Sequence, residues 1–128
     1  MTSLTITKRF VLHALHNLNN PQWSNEKNTA MFGKCFRLHG HDFKFDISIK
    51  GSPDPTTGFA YPPEKLEEII NKYILGPYCG KNLNEYFSNP SGEGLVVEFY
   101  KILKEPLGDS IANLSLQETL KNSFSYPI

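Results

Sequence analysis

The sequence predicts an α+β fold, in which helices cover one face of a β-sheet. Three observations lead to this prediction. Two long segments near the start alternate apolar and polar residues, two later segments repeat apolar residues at helical spacing, and two short alternating segments follow. At 128 residues the chain has the length of one domain, so we expect residues 1–128 to form a single unit.

The first two strands are predicted from alternation, which is strict in the second. From Leu4 to His16 the even positions are mostly apolar, and His16 falls among them, whereas His13 falls on the other side. From His39 onward, His39 and His41 share a face with the apolar residues that follow them. Both strands therefore direct histidines toward the predicted core.

The segment between these strands has neither a helical nor a strand period. It runs from Asn19 to Gly33 and contains loop-forming residues such as Pro21, so the sequence predicts a long surface loop. A second loop is predicted from Gly51 to Gly58, where two prolines and two glycines occur.

Two helices are predicted next. The stretch "PPEKLEEIINKYIL" has an apolar face and is expected to end near Gly76 and Pro77. The stretch "NPSGEGLVVEFYKILKE" has a second such face, with Pro90 expected in its first turn. The apolar positions of the two helices are Leu66, Ile69, Ile70, Tyr73 and Ile74, and Leu95, Val96, Phe99, Ile102 and Leu103.

Two strands are predicted to close the fold. Leu114, Leu116 and Glu118 are in phase in the first, and the second lies near Phe124 and Tyr126. Glu118 is unusual because a carboxylate occupies a position where an apolar residue is expected. Either it faces a ligand with adjacent N–H donors, or it is a strand-end residue whose facing changes at a bulge.

Composition narrows the classes of partner. Thirteen basic and thirteen acidic side chains balance, so we expect no nucleic acid or membrane partner, and a small molecule or another subunit instead. The first residues lack a long apolar segment, which predicts a cytoplasmic protein. In a reducing compartment, Cys35 and Cys79 are expected to be free thiols.

Three histidines suggest a metal site. His39 and His41 lie two residues apart on a strand, so their backbones are roughly 6 to 7 Å apart on one face and both can reach one ion. Strand parity selects His16 as the third ligand. Three neutral nitrogens with an open fourth position are typical of catalytic zinc. The alternative is that these histidines are hydrogen-bonded polar residues at a strand end.

Cys35 and Glu93 each have two interpretations. Cys35 is either a small buried apolar side chain or, beside a cation and near Lys34 and Arg37, a thiolate that serves as a base or nucleophile. Glu93 lies in the predicted first turn of the second helix, where the helix dipole favours any acid, so its pattern alone predicts a helix-start residue.

Four short blocks resemble one family, the 6-pyruvoyl and 6-carboxytetrahydropterin synthases. The family's F-x-A-x-H-x-L is similar to "LHALHNL" here, and its C-x3-H-G-H is similar to "CFRLHGH". Its P-T-x-E helix start is similar to "PSGE", and its late E-T strand end is similar to "LSLQET". The spacing of Cys35 and His39 resembles the bacterial carboxytetrahydropterin branch, which serves queuosine biosynthesis, more than the animal pyruvoyl branch.

The resemblance implies a site and an assembly. It implies a T-fold with a four-stranded antiparallel sheet and two helices on one face, assembled as a trimer or a dimer of trimers. It also implies that the zinc ion and Cys35 act on 7,8-dihydroneopterin triphosphate, giving a pyruvoyl product by triphosphate elimination or a carboxy product by side-chain cleavage. The residues it assigns are His16, His39 and His41 to zinc, Cys35 to catalysis, and Glu118, Thr119, Glu93 and Ser91 to substrate.

One segment departs from the family pattern. Where the family has an Asp-His pair before the second helix, this chain has Cys79 and Gly80, so the expected proton relay is missing. The sequence therefore predicts a lyase most like 6-carboxy-5,6,7,8-tetrahydropterin synthase with reduced activity. The alternatives are a 6-pyruvoyl tetrahydropterin synthase, a zinc-containing pterin-binding protein without turnover, and, less favoured, a structural zinc domain with Cys35 as its fourth ligand.

Overall fold

A computed structural model describes residues 2–128, and it confirms the α+β fold. Four strands form one antiparallel sheet in the order β1-β2-β3-β4. The strands are β1 (Leu4–His16), β2 (His39–Gly51), β3 (Ile111–Thr119) and β4 (Asn122–Tyr126). The α-helices are α1 (Asn25–Phe32), α2 (Pro63–Ile70), α3 (Gly76–Tyr78) and α4 (Gly92–Leu107).

The pairing of β1 with β2 determines where the histidines meet. His16 is the last residue of β1 and lies directly opposite His39, the first residue of β2, while Ala14 lies opposite His41. Burial alternates along both strands: Leu12, Ala14 and His16 of β1 are buried, and Phe43 and the alternate residues after it on β2 have no solvent exposure. The predicted parity is confirmed, so the core-facing side of the sheet presents histidines at one end.

The core lies between this face of the sheet and the helices. Helix α4 packs against β3, and its Leu95, Phe99 and Leu103 are fully buried in the core. Helix α2 continues through a π-helical segment, Asn71–Leu75, into α3, so the helical region extends slightly past its predicted end. Gly76 fits this wide turn because a Cβ atom there would lie 2.7 Å from the Asn71 carbonyl oxygen.

The prediction of a long loop from Asn19 to Gly33 is wrong, because the segment contains α1. An apolar stripe does not stabilise this helix, since its buried residue is Asn28. The Asn28 amide accepts a hydrogen bond from the Asn20 N–H at 2.8 Å and donates to the Asn20 and Ser24 carbonyls. A helix stabilised by a polar side chain has no hydrophobic period to reveal it.

The start of α4 also differs from the prediction. Ser91 is the N-cap, and its Oγ accepts a hydrogen bond from the Gly94 N–H at 3.1 Å. Pro90 therefore precedes the helix and does not lie in its first turn. No helix within residues 2–128 combines the length and the hydropathy that crossing a bilayer requires.

Candidate metal centre and adjoining pocket

Four side chains converge at the end of the sheet where β1 and β3 finish and β2 begins. They are His16, His39, His41 and Glu118, and each offers one donor atom within 4.8 Å of the others. His16 is fully buried, and the other three are half-buried. The arrangement follows from strand pairing, which brings residues distant in sequence to the same edge. These four residues could hold a metal ion.

Backbone carbonyls fix the tautomers of two of these histidines. His16 Nδ1 lies 2.6 Å from the Pro90 carbonyl oxygen, and His39 Nδ1 lies 2.7 Å from that of Arg37. A carbonyl can only accept, so each Nδ1 carries the proton and donates it. Each Nε2 is left with its lone pair free, as in histidines that bind metal through Nε2.

The Nε2 atoms of His16 and His41 are buried without a hydrogen-bond partner in the described chain. Buried polar atoms are nearly always paired, so two adjacent orphans need an explanation. Burial is also the main reason why the pKa values of His16 and His41 are lowered, with the neighbouring histidines adding to the effect. Glu118 opposes this shift. The result favours neutral imidazoles, the form that binds metal.

Glu118 lies directly beside these orphan nitrogens. Its Oε1 is 3.2 Å from His41 Nε2 and 3.7 Å from His16 Nε2. The pairing of β3 with β4 shifts register between Gln117 and Thr119, which places Glu118 at a bulge. Glu118 therefore lies at a bulge and still faces the cluster. Its role as a pterin anchor stays a prediction.

Cys35 lines one cavity of about 530 Å³ together with three members of the cluster, His39, His41 and Glu118. Cys35 is half-buried on a 3₁₀ turn, Gly33–Phe36, just before β2. The lining residues are Lys34, Cys35, Arg37, Leu38, His39, His41, Glu118, Thr119 and Asn122. The cavity therefore combines three of the four candidate metal ligands, a free thiol, two cationic side chains and the predicted substrate residue Thr119.

Ser91 and Glu93 are not brought into this cavity. The Ser91 hydroxyl caps α4, and Glu93 lines a separate pocket of about 440 Å³ with Tyr86, Phe87 and their neighbours. The segment still contributes to the candidate centre, because the Pro90 carbonyl orients His16. Side-chain patterns cannot identify a backbone acceptor, so the sequence analysis missed this contact. Substrate binding by Ser91 and Glu93 stays a prediction.

The segment that departs from the family pattern lies against β1. The Gly80 N–H donates to the His13 carbonyl at 2.7 Å, and Cys79 is exposed. His13 Nδ1 lies 2.5 Å from Asp42 Oδ1 on the face of the sheet away from the cluster, and both residues are exposed. The sequence analysis missed this pair, although the register that joins His16 to His39 also joins His13 to Asp42.

Comparisons with known proteins agree on one family. A family model described as 6-pyruvoyl tetrahydropterin synthase matches residues 5–127. The 6-pyruvoyl tetrahydrobiopterin synthase of Drosophila melanogaster is 36% identical over 132 residues, which cover 94% of this chain and 77% of the fly protein. The protein of the same name from Poecilia reticulata is 30% identical over 129 residues, which cover 94% of this chain and 88% of the fish protein.

A solved structure extends the likeness to the fold. The 6-pyruvoyl tetrahydropterin synthase of Caenorhabditis elegans superposes with a TM-score of 0.89 at 27% identity, covering 98% of this chain and 96% of that chain. The agreement confirms the expected T-fold. Because the family model spans nearly all of the sequence, the chain belongs to the 6-pyruvoyl tetrahydropterin synthase family.

Proposed function

We propose that this protein is a zinc-dependent lyase that converts 7,8-dihydroneopterin triphosphate into 6-pyruvoyl tetrahydropterin with loss of triphosphate. The observation that carries the proposal is that Cys35 lines the same cavity as His39 and His41 of the candidate metal site. The names of the relatives favour the pyruvoyl product over the carboxy product that the spacing of Cys35 and His39 suggested.

The residues present fit a zinc ion. His16, His39 and His41 would hold it through Nε2, since the Nδ1 atoms of His16 and His39 are engaged by carbonyls and the Nε2 atoms of His16 and His41 lack partners. Imidazole nitrogen is a preferred zinc ligand. When bound, the ion would act as a Lewis acid toward substrate oxygens and thereby acidify the neighbouring C–H bonds.

Cys35 is the candidate base. As a thiolate it would accept a proton from the substrate side chain, and its place on a turn beside His39 puts the thiol at the edge of the cavity that a substrate would occupy. Lys34 and Arg37 line the same cavity. Two cations there complement the charge of a triphosphate group, which is the leaving group of the proposed reaction.

The Cys79-Gly80 segment supports slow turnover. Loss of a positioned general acid or base typically costs about 10² to 10⁴ in rate. Neither a thiol exposed at the surface nor a glycine can replace a histidine held by an aspartate. The second candidate function, a zinc-containing pterin-binding protein without turnover, rests on the same two residues.

The free edges of the sheet support a homo-oligomer. β1 is an edge strand of thirteen residues, and the described chain covers only its end, where Leu15 pairs with Asn82. A long unpaired edge is a template for pairing with another chain. A trimer, or a dimer of trimers, stays a prediction.

Product identification tests the proposed function. Zinc-loaded protein is incubated with 7,8-dihydroneopterin triphosphate, and the pterins, inorganic triphosphate and acetaldehyde are quantified. The proposal predicts inorganic triphosphate and the pyruvoyl product, with both abolished in Cys35→Ala. Acetaldehyde together with a carboxypterin would instead support the carboxy branch. A protein that binds the substrate and releases no product would support the binding function.

A further inference from the structure

The distances around Glu118 match the spacing between ligands of one tetrahedral ion. Nitrogen and oxygen ligands lie about 2.0 to 2.2 Å from zinc, so two ligands at a tetrahedral angle are separated by roughly 3.3 to 3.5 Å. Glu118 Oε1 lies 3.2 Å from His41 Nε2 and 3.7 Å from His16 Nε2. The two distances bracket this separation, so the carboxylate lies within reach of an ion held by the three histidines.

We propose that Glu118 is the fourth metal ligand when no substrate is bound, and that a pterin side chain must displace it. The proposal rests on the metal site of the proposed function and adds a ligand-exchange step to it. A site closed by four protein ligands is the structural type, whereas a catalytic site keeps one position open for water or substrate. The exchange of Glu118 converts the first type into the second.

Glu118 is better suited to leave the ion than His16 or His39. His16 and His39 are each held at Nδ1 by a backbone carbonyl, and both lie in the paired region of β1 and β2. Glu118 instead lies at the bulge in β3, and its contacts with the cluster are those to the nitrogens of His16 and His41. Its side chain is 17% exposed, while that of His16 is 1% exposed.

The surroundings of Glu118 favour its replacement by a substrate oxygen over loss of the ligand without replacement. Glu118 lines the cavity that also contains Cys35 and Thr119, so a carboxylate that leaves the ion remains beside the proposed substrate. An oxygen of the substrate would take its place, and the number of ligands would stay the same. The released carboxylate could then accept hydrogen bonds from N–H donors of the pterin ring. One residue would thereby hold the ion in the resting protein and the substrate in the complex.

The affinity of the site for Zn²⁺ and the affinity of the bound ion for azide test the proposal without measuring turnover. Zn²⁺ affinity is measured by competition with a chelator, and azide binding is followed by the visible spectrum of the Co²⁺-substituted protein. We expect Glu118→Gln to weaken Zn²⁺ binding at least tenfold, because a neutral amide replaces an anionic ligand. We also expect azide to bind at least tenfold more tightly, because the fourth position becomes accessible.

The matched control is Glu98→Gln, since Glu98 lines a separate pocket and should affect neither measurement. Thermal melting of the metal-free proteins checks that Glu118→Gln folds normally. Unchanged Zn²⁺ and azide affinities in a folded Glu118→Gln variant would overturn this proposal and leave a three-histidine site intact. Absence of Zn²⁺ binding in the parent protein would overturn the proposed function itself.

Discussion

Replacement of His39 by alanine should remove metal-dependent stabilisation while preserving the fold. His39 begins β2, is half-buried, and contributes one of the three candidate nitrogens. Structural zinc sites are worth about 10 to 16 kcal/mol for four ligands, so one ligand accounts for roughly 3 kcal/mol, or about 10² to 10³ in affinity. Zn²⁺ at a hundred times the dissociation constant stabilises the parent by about 2.7 kcal/mol.

At the same free Zn²⁺ concentration, the His39→Ala variant would gain about 0.4 kcal/mol or less. One kcal/mol shifts the melting temperature of a domain of this size by roughly 3 to 5 °C, so the parent should gain about 10 °C and the variant 2 °C or less. The assay combines thermal melting with elemental analysis of the metal content. We expect about one Zn²⁺ per chain in the parent.

The control is His13→Ala, which deletes the same side chain from an exposed position on the other face of the sheet. It should behave like the parent in both measurements. Retention of one Zn²⁺ per chain, together with full stabilisation, in both His39→Ala and His41→Ala would refute the reasoning. The histidine cluster would then not be the metal site.

The remaining predictions concern turnover, packing and pH. Rebuilding the missing pair as Cys79→Asp with Gly80→His should raise turnover of dihydroneopterin triphosphate. Because Gly80 has φ +73°, a histidine there costs about 1 to 2 kcal/mol of stability. An unchanged rate would show that the relay does not limit turnover. Gly92→Ala should lower the free energy of unfolding by about 1 to 3 kcal/mol in urea, because its Cβ would lie 2.1 Å from the Phe124 ring. Burial lowers the pKa of His16 in the folded protein from its ordinary value of 6.5. At a pH below about 6.5 the unfolded chain therefore binds more protons than the folded one. The metal-free protein should therefore lose stability as the pH falls below about 6.5, and a melting temperature that stays constant from pH 7.5 to 5.5 would contradict this.

Much of the fold can be predicted from the sequence because its strands and helices α2 and α4 bury regular apolar faces. The alternation that placed His16 on the core side of β1 is the same pattern that determines which residues are buried. Helix α1 has no such pattern, since the Asn28 amide rather than an apolar face stabilises it. A polar network of this kind depends on three-dimensional contacts that no period in the sequence records.

The sequence identified which side chains form the candidate site. It did not reveal the contacts that orient them. Spacing indicated His39 and His41, and parity added His16. The carbonyls of Pro90 and Arg37, which fix two histidine tautomers, belong to residues that no metal motif includes. The sequence also marked Glu118 as an anomaly, but only the pairing of β2 with β3 brings its carboxylate beside the unpaired nitrogens.

The most direct test of the account is anomalous diffraction from crystals of the zinc-loaded protein at the zinc absorption edge. The account predicts one strong peak per chain, bonded to the Nε2 atoms of His16, His39 and His41 at about 2.0 to 2.1 Å. A peak at the exposed pair of His13 and Asp42, or none within reach of the three Nε2 atoms, would contradict it.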